Sequence, residues 1–197
     1  MKSGRAPVAV KASPLLIVLI AAGCGHSPPV RYVTLSAEPS VASPATTHMQ
    51  PVQLTAVHIP AELDRPELVT QTSANQLAIH ETDRWGAPLG QLMRRTLAQD
   101  LLTRLPAGSF VLPDAPAAPD TRKLVVTVLN AEAGANGALA LQASWTLLSG
   151  QPSHAVLTQQ VSLTSDMSGS DATAQAAALS RLLGQLADRI SASIVAR

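Results

Sequence analysis

Two stretches of the chain repeat apolar residues at helical spacing. Leu89, Leu92, Met93, Leu97, Leu101 and Leu105 recur at steps of three and four, which predicts an amphipathic helix over residues 88–105. Pro88 fits its first turn, where a missing N–H costs nothing, and Pro106 and Gly108 end it. Arg94, Arg95 and Arg104 fall off the apolar stripe and read as a solvated face, with contact to an anionic surface as the alternative. The second stretch spans 171–196, with a stripe of Leu179, Leu182, Leu183, Leu186, Ile190 and Ile194. Ser170 or Asp171 can cap it, and the alanines at its start allow close approach. Arg181, Asp188 and Arg189 face away from that stripe.

Elsewhere the period is two. Over 138–147 Leu139, Leu141, Ala143, Trp145 and Leu147 point one way, and Ala140, Gln142, Ser144 and Thr146 the other. Residues 155–163 repeat the alternation with Ala155, Leu157, Val161 and Leu163 inward. Arg122–Glu132 is almost wholly apolar in its middle, as a central strand would be. Turns at 134–137 and 149–152 join these three as antiparallel neighbours. Upstream, Val52, Leu54 and Ala56 alternate before the phase slips to Val57 and Ile59, a sign of a bulge or of burial on both faces. Leu68–Gln71 and Gln76–Glu81 flank a turn and predict a hairpin. Residues 109–112 are a further short strand. Tyr32–Leu35 has strand composition within a stretch that otherwise reads as linker. Strands, helix, strands, helix imply a two-layer α+β domain over 51–197. Its sheet is mainly antiparallel or mixed, with both helices packed on one face.

The N-terminus changes the picture of where this domain works. Lys2, Arg5 and Lys11 precede an apolar run, Pro14–Ile20, that leads through Ala21-Ala22-Gly23 to Cys24. That is the profile of a secretory signal, and the run is too short to span a bilayer. Small residues before the chain's one cysteine look like a bacterial lipobox, although Ala21 stands where Leu is usual. The expectation is cleavage after residue 23, acylation of Cys24 with palmitate-type chains, and a lipidated tether, short strand and loop over 24–50. The leader carries three of the 14 Lys and Arg and none of the 13 Asp and Glu, so the remainder has a formal charge of −2. With no basic excess and only 2% aromatic residues, nucleic acid is not an expected partner.

Catalytic and metal signatures are missing. There is no G-x-S-x-G, no P-loop and no G-x-G-x-x-G, and the five histidines are scattered. No enzyme activity, metal or cofactor is expected beyond the covalent lipid on Cys24. Two local sequences stand out instead. Ile59-Pro60-Ala61-Glu62-Leu63-Asp64-Arg65-Pro66 is a proline-bounded turn with a charged pair. Asp83-Arg84-Trp85-Gly86-Ala87-Pro88-Leu89 runs into the first helix. Asp64, Arg65, Pro66, Arg84 and Trp85 are therefore candidates for a partner-binding or structural motif. Arg and Trp favour binding hot spots, and a Trp at a helix entrance also serves as a lid on the core.

The lipobox, the Tyr32 strand, Leu63-Asp64-Arg65-Pro66, and Arg84-Trp85 with Pro88-Leu89 resemble the ABC-type transport auxiliary lipoproteins, the PqiC family. The Trp145 strand and the Ala/Leu-rich last helix extend the likeness over nearly all of the mature chain. Glu62 and Ala87 depart from it, standing where the family often has an aromatic residue and Glu. The resemblance implies a lipid-anchored accessory subunit on the periplasmic face of the outer membrane. It implies docking to an MCE-family protein and, through it, to an inner-membrane ABC-type permease, in support of lipid transport and membrane integrity. It also admits a homo-oligomeric ring. Gly25 after the cysteine, where some bacteria use Asp for inner-membrane retention, favours the outer membrane. A structural lipoprotein of another envelope complex, without lipid handling, is the alternative.

Overall fold

The structure is a computed structural model, and it describes residues 28–40 and 49–196. The leader, Cys24 and most of the tether lie outside the described residues. The elements run β1 (Arg31–Val33), β2 (Val52–His58), β3 (Glu67–Ser73), β4 (Gln76–Trp85), α1 (Leu89–Arg104), β5 (Phe110–Val111), β6 (Arg122–Gly134), β7 (Ala138–Ser149), β8 (His154–Asp166) and α2 (Ala172–Val195). The eight strands form one mixed sheet with the two helices packed on it, an α+β fold.

β6 is the axis of the sheet. Along one edge it pairs antiparallel with β7, and β7 with β8. Along the other edge its first half takes β2 and its last residues take β3, both parallel. β3 pairs antiparallel with β4, and β4 carries β1 in parallel at the sheet margin. One face of the apolar run of β6, Leu124, Val126 and Val128, is buried in the core, while Val125 on the other face is half-covered and Leu129 is 54% exposed. The β6–β7 connection closes tightly on Gly137, whose φ of 78° excludes most side chains. The phase slip in β2 is a bulge between Leu54 and Ala56.

The core lies between the sheet and the helix pair. Leu139, Leu141, Ala143, Trp145 and Leu147 are all buried, as the alternation requires. The α1 stripe, Leu89 to Leu105, is buried along its length. Each of its leucines contributes about 1.5–3 kcal/mol by leaving water, and this packing, more than intrinsic propensity, makes the helix stable. α2 starts on Asp171, whose side chain accepts from the Ala174 N–H at 2.8 Å.

Four local expectations are corrected. β4 continues to Trp85, so the Arg-Trp pair sits at a strand end, held there by pairing with β1 and β3. On β8 only Leu157 is buried: Val161 and Leu163 are half-covered and Ala155 is exposed, because β8 is an edge strand, paired among the described residues with β7 alone and so covered less fully than the strands inside the sheet. Arg104 is buried, not solvated, since α2 packs over that side of α1. The stretch around Tyr32–Leu35 is no plain linker: the strand composition is realised in β1, which joins the sheet, Leu35 is 4% exposed within the core, and the Glu38 N–H donates to Asp100 of α1.

Candidate functional site

The two unusual sequence motifs meet in space. β3 begins directly after Pro66 and β4 ends at Trp85, and the hairpin sets Glu67 opposite Arg84. The Trp85 N–H donates to the Pro66 carbonyl at 2.8 Å, and the Gly86 N–H to the Val33 carbonyl at 2.8 Å. The turn, the strand end and β1 are thereby stitched into one junction where the chain enters α1.

Strand alternation sorts the junction's side chains. Asp83 and Trp85 point inward: Trp85 is 6% exposed and belongs to the core, so its indole offers no free surface in this state. Asp83, equally buried, accepts both forks of Arg31, at 2.7 and 2.9 Å. This bidentate pair clamps β1 to β4 and keeps a buried carboxylate satisfied. Arg84 and its register partner Tyr32 lie on the other side, with Tyr32 66% exposed. Arg65 reaches Glu67 at 3.2 Å, and Arg84 reaches it at 3.8 Å. The Glu67 carboxyl is held below its usual pKa, first by a backbone hydrogen bond within Glu67 itself, with Arg65 and Arg84 adding to it against the cost of burial. Asp64 and Pro66 are exposed on the turn. The surface face of the junction is thus Tyr32, Asp64, Arg65, Pro66, Glu67 and Arg84.

A second polar cluster ties residues 36–38 to the two helices. Asp100 on α1 has no exposed surface and accepts the Glu38 N–H at 2.8 Å. Arg104, one turn later, donates to Asp100 Oδ1 at 3.2 Å, to the Glu38 carbonyl at 3.1 Å and to Asp188 of α2 at 2.6 Å. The Ser36 N–H donates to Ser180 Oγ of α2 at 3.1 Å. These bonds strap residues 36–38 across the helix pair. Gly184 makes room for the strap: a Cβ there would stand 2.8 Å from Glu38 Cβ. Burial pushes the Asp100 carboxyl up to about 6, against the pull of the Glu38 N–H and Arg104. Its Oδ2 is buried without a hydrogen-bond partner, which leaves a place for that proton. Only the i, i+4 spacing of Asp100 and Arg104 was visible in the sequence. Their partners are 62 and 84 residues distant.

Among the described residues no group of three or more His, Cys, Asp or Glu could hold a metal ion. No described helix is long and apolar enough to cross a membrane. The arrangement is a strapped sheet-and-helix-pair domain whose charged junction organises structure and presents a surface. The chain matches the family described as ABC-type transport auxiliary lipoprotein component over residues 33–191 and belongs to it, an auxiliary lipoprotein of an ABC-type transport system. Among solved structures it is similar to XCC0632 from Xanthomonas campestris, of the DUF330 family, with a TM-score of 0.66, 16% identity, and coverage of 84% of this chain and 95% of that one. A crystal structure of an uncharacterised protein aligns with a TM-score of 0.65 and 22% identity over 86% of this chain and 98% of its own. These likenesses speak to the fold. No protein with a curated description matches.

Proposed function

We propose that this chain is the lipid-anchored accessory subunit of an MCE/ABC-type intermembrane lipid transport system. It sits on the periplasmic face of the outer membrane and docks the periplasm-spanning MCE protein without catalysing a reaction. The observation that carries the reading is membership of the transport auxiliary lipoprotein family over residues 33–191, directly downstream of an apolar leader ending in Cys24. The junction supports it: Tyr32, Arg65 and Arg84 put an exposed aromatic ring and two partly exposed guanidinium groups on a rigid three-strand corner close to the tether. The edge of β8 supports contacts with a partner or with further copies. It spans 13 residues with no Lys or Pro, and β7 is the one strand it pairs with among the described residues.

The test has two parts. A Cys24→Ala variant is expected to be made but released from membranes on fractionation, while wild type sediments with the outer membrane. Photo-crosslinkers placed at Tyr32 and Arg84 are expected to capture an MCE protein, which mass spectrometry would identify. Wild type recovered wholly in the soluble periplasmic fraction would sink the anchored reading.

A further inference from the structure

α1 has a second side that the core does not use. Between its outer face and the loop after β5 lies an open cavity of about 570 Å³, within the size range of small-molecule sites. Its apolar lining includes Leu92, Ala98, Leu112 and Pro113, and Leu112 is 51% exposed. Its charged lining is Arg94, Arg95 and Asp114. Two guanidinium groups against one carboxylate leave a net positive charge over an apolar wall.

The carboxylate is held in an unusual way. Asp114 has a φ of 64°, in the left-handed region that Asp and Asn adopt more readily than other non-glycine residues. Its carboxylate is gripped by Arg94, whose Nη1 and Nη2 donate to its two oxygens at 2.7 and 2.8 Å. The Asp114 side chain is 78% exposed, so water and other anions compete for its place. Arg94 Nε is buried without a hydrogen-bond partner. Arg95 is exposed, with one long bond to Thr34 Oγ1 at 3.3 Å. A planar fork that already grips one oxyanion will grip another of the same geometry, and phosphate oxygens match it.

We propose that this cavity takes the headgroup of an anionic phospholipid, whose phosphate displaces Asp114 from Arg94 while Arg95 supplies a second contact. The glycerol and first methylenes lie along Leu112, Pro113 and Leu92, a surface that free phosphate would leave uncovered. Position fits as well. Thr34 follows β1, and the stretch from Cys24 to Val30 extends about 25 Å at most, so the cavity lies within reach of the bilayer that the anchor would enter. The choice of a lipid source rests on the membrane-tethered reading above.

The experiment titrates the full-length chain in nonionic detergent with dihexanoyl phosphatidylglycerol, dihexanoylglycerol and inorganic phosphate, followed calorimetrically. Saturable binding of one phosphatidylglycerol per chain is expected, with Arg94→Gln and Arg95→Gln each weakening it by roughly tenfold or more. Asp114→Asn keeps a residue that tolerates positive φ but removes the competing charge, and it should tighten binding several-fold. Arg95 is exposed, so its variant carries the test should Arg94→Gln fail to fold. Equal affinity for dihexanoylglycerol would reduce the site to an apolar groove, and equal affinity for inorganic phosphate to a plain anion site; either overturns the proposal. So does unchanged binding in the arginine variants, or weaker binding in Asp114→Asn. The assay uses the isolated chain, so its failure leaves the MCE crosslinking test standing, and failed crosslinking leaves this one standing.

Discussion

Asp100 shows what a single residue does when the fold gives it no water and too few partners. Its carboxyl titrates near 6 because burial penalises the charge more than the Glu38 N–H and Arg104 favour it. The folded state therefore holds a proton that the unfolded chain has already lost between about pH 4 and 6. Stability from this group is greatest below that window and falls as pH rises through it, by roughly 2–3 kcal/mol in all. The expected outcome is that the Tm difference between wild type and Asp100→Asn, followed from pH 4 to 7, moves against wild type as pH rises. A flat difference would mean that Asp100 is charged throughout. Gly184 is the matching steric case. Gly184→Ala drives a methyl group to 2.8 Å from Glu38 Cβ, and the strap must shift. A loss of about 1–3 kcal/mol is expected in chemical denaturation, although alanine is the better helix former and would otherwise stabilise.

At the scale of elements, helices and central strands were legible in the sequence because their burial is periodic. The α1 and α2 stripes, the alternation of β7 and the apolar run of β6 each appear where the pattern put them. Margins were less legible. β4 runs four residues past its expected end because β1 and Pro66 satisfy its backbone, and those partners are remote in sequence. β8 alternates like β7 but buries little, since its place at the edge is set by strand order and not by its own residues. Asp171 lies between these cases: it was one of two candidate caps, and the fold uses its side chain on the Ala174 N–H. Asp171→Ala should cost about 1 kcal/mol. The loss should register as faster hydrogen exchange confined to the first turn of α2, with the helix centre unchanged.

For the whole molecule, the segment next to the tether is part of the body. Arg31 is clamped to Asp83, Leu35 is in the core, and Glu38 is bonded to the helix pair. A chain starting at Pro28 should fold with the stability of a chain starting at Cys24. One starting at Met49 loses Leu35 and leaves Asp100 and Asp83 without those partners, a cost of about 2–5 kcal/mol and a Tm lower by several degrees or more. Thermal unfolding of the two chains checks this, and equal Tm values would show the segment to be a dispensable leash.

By itself the sequence determined the α+β class, the two helices, the central strands and the likeness to the transport auxiliary lipoproteins, because periodic burial and short motifs are written in neighbouring residues. It also singled out Asp64-Arg65-Pro66 and Arg84-Trp85. Only the tertiary structure decided that these two motifs are one junction, that Trp85 faces the core, that Arg104 is buried, and that Arg94, Arg95 and Asp114 share a cavity. The physical reason is common to all four. Each depends on which remote segments the hydrophobic collapse brings alongside, and a pairing across 20 to 84 residues leaves no periodic trace in the chain.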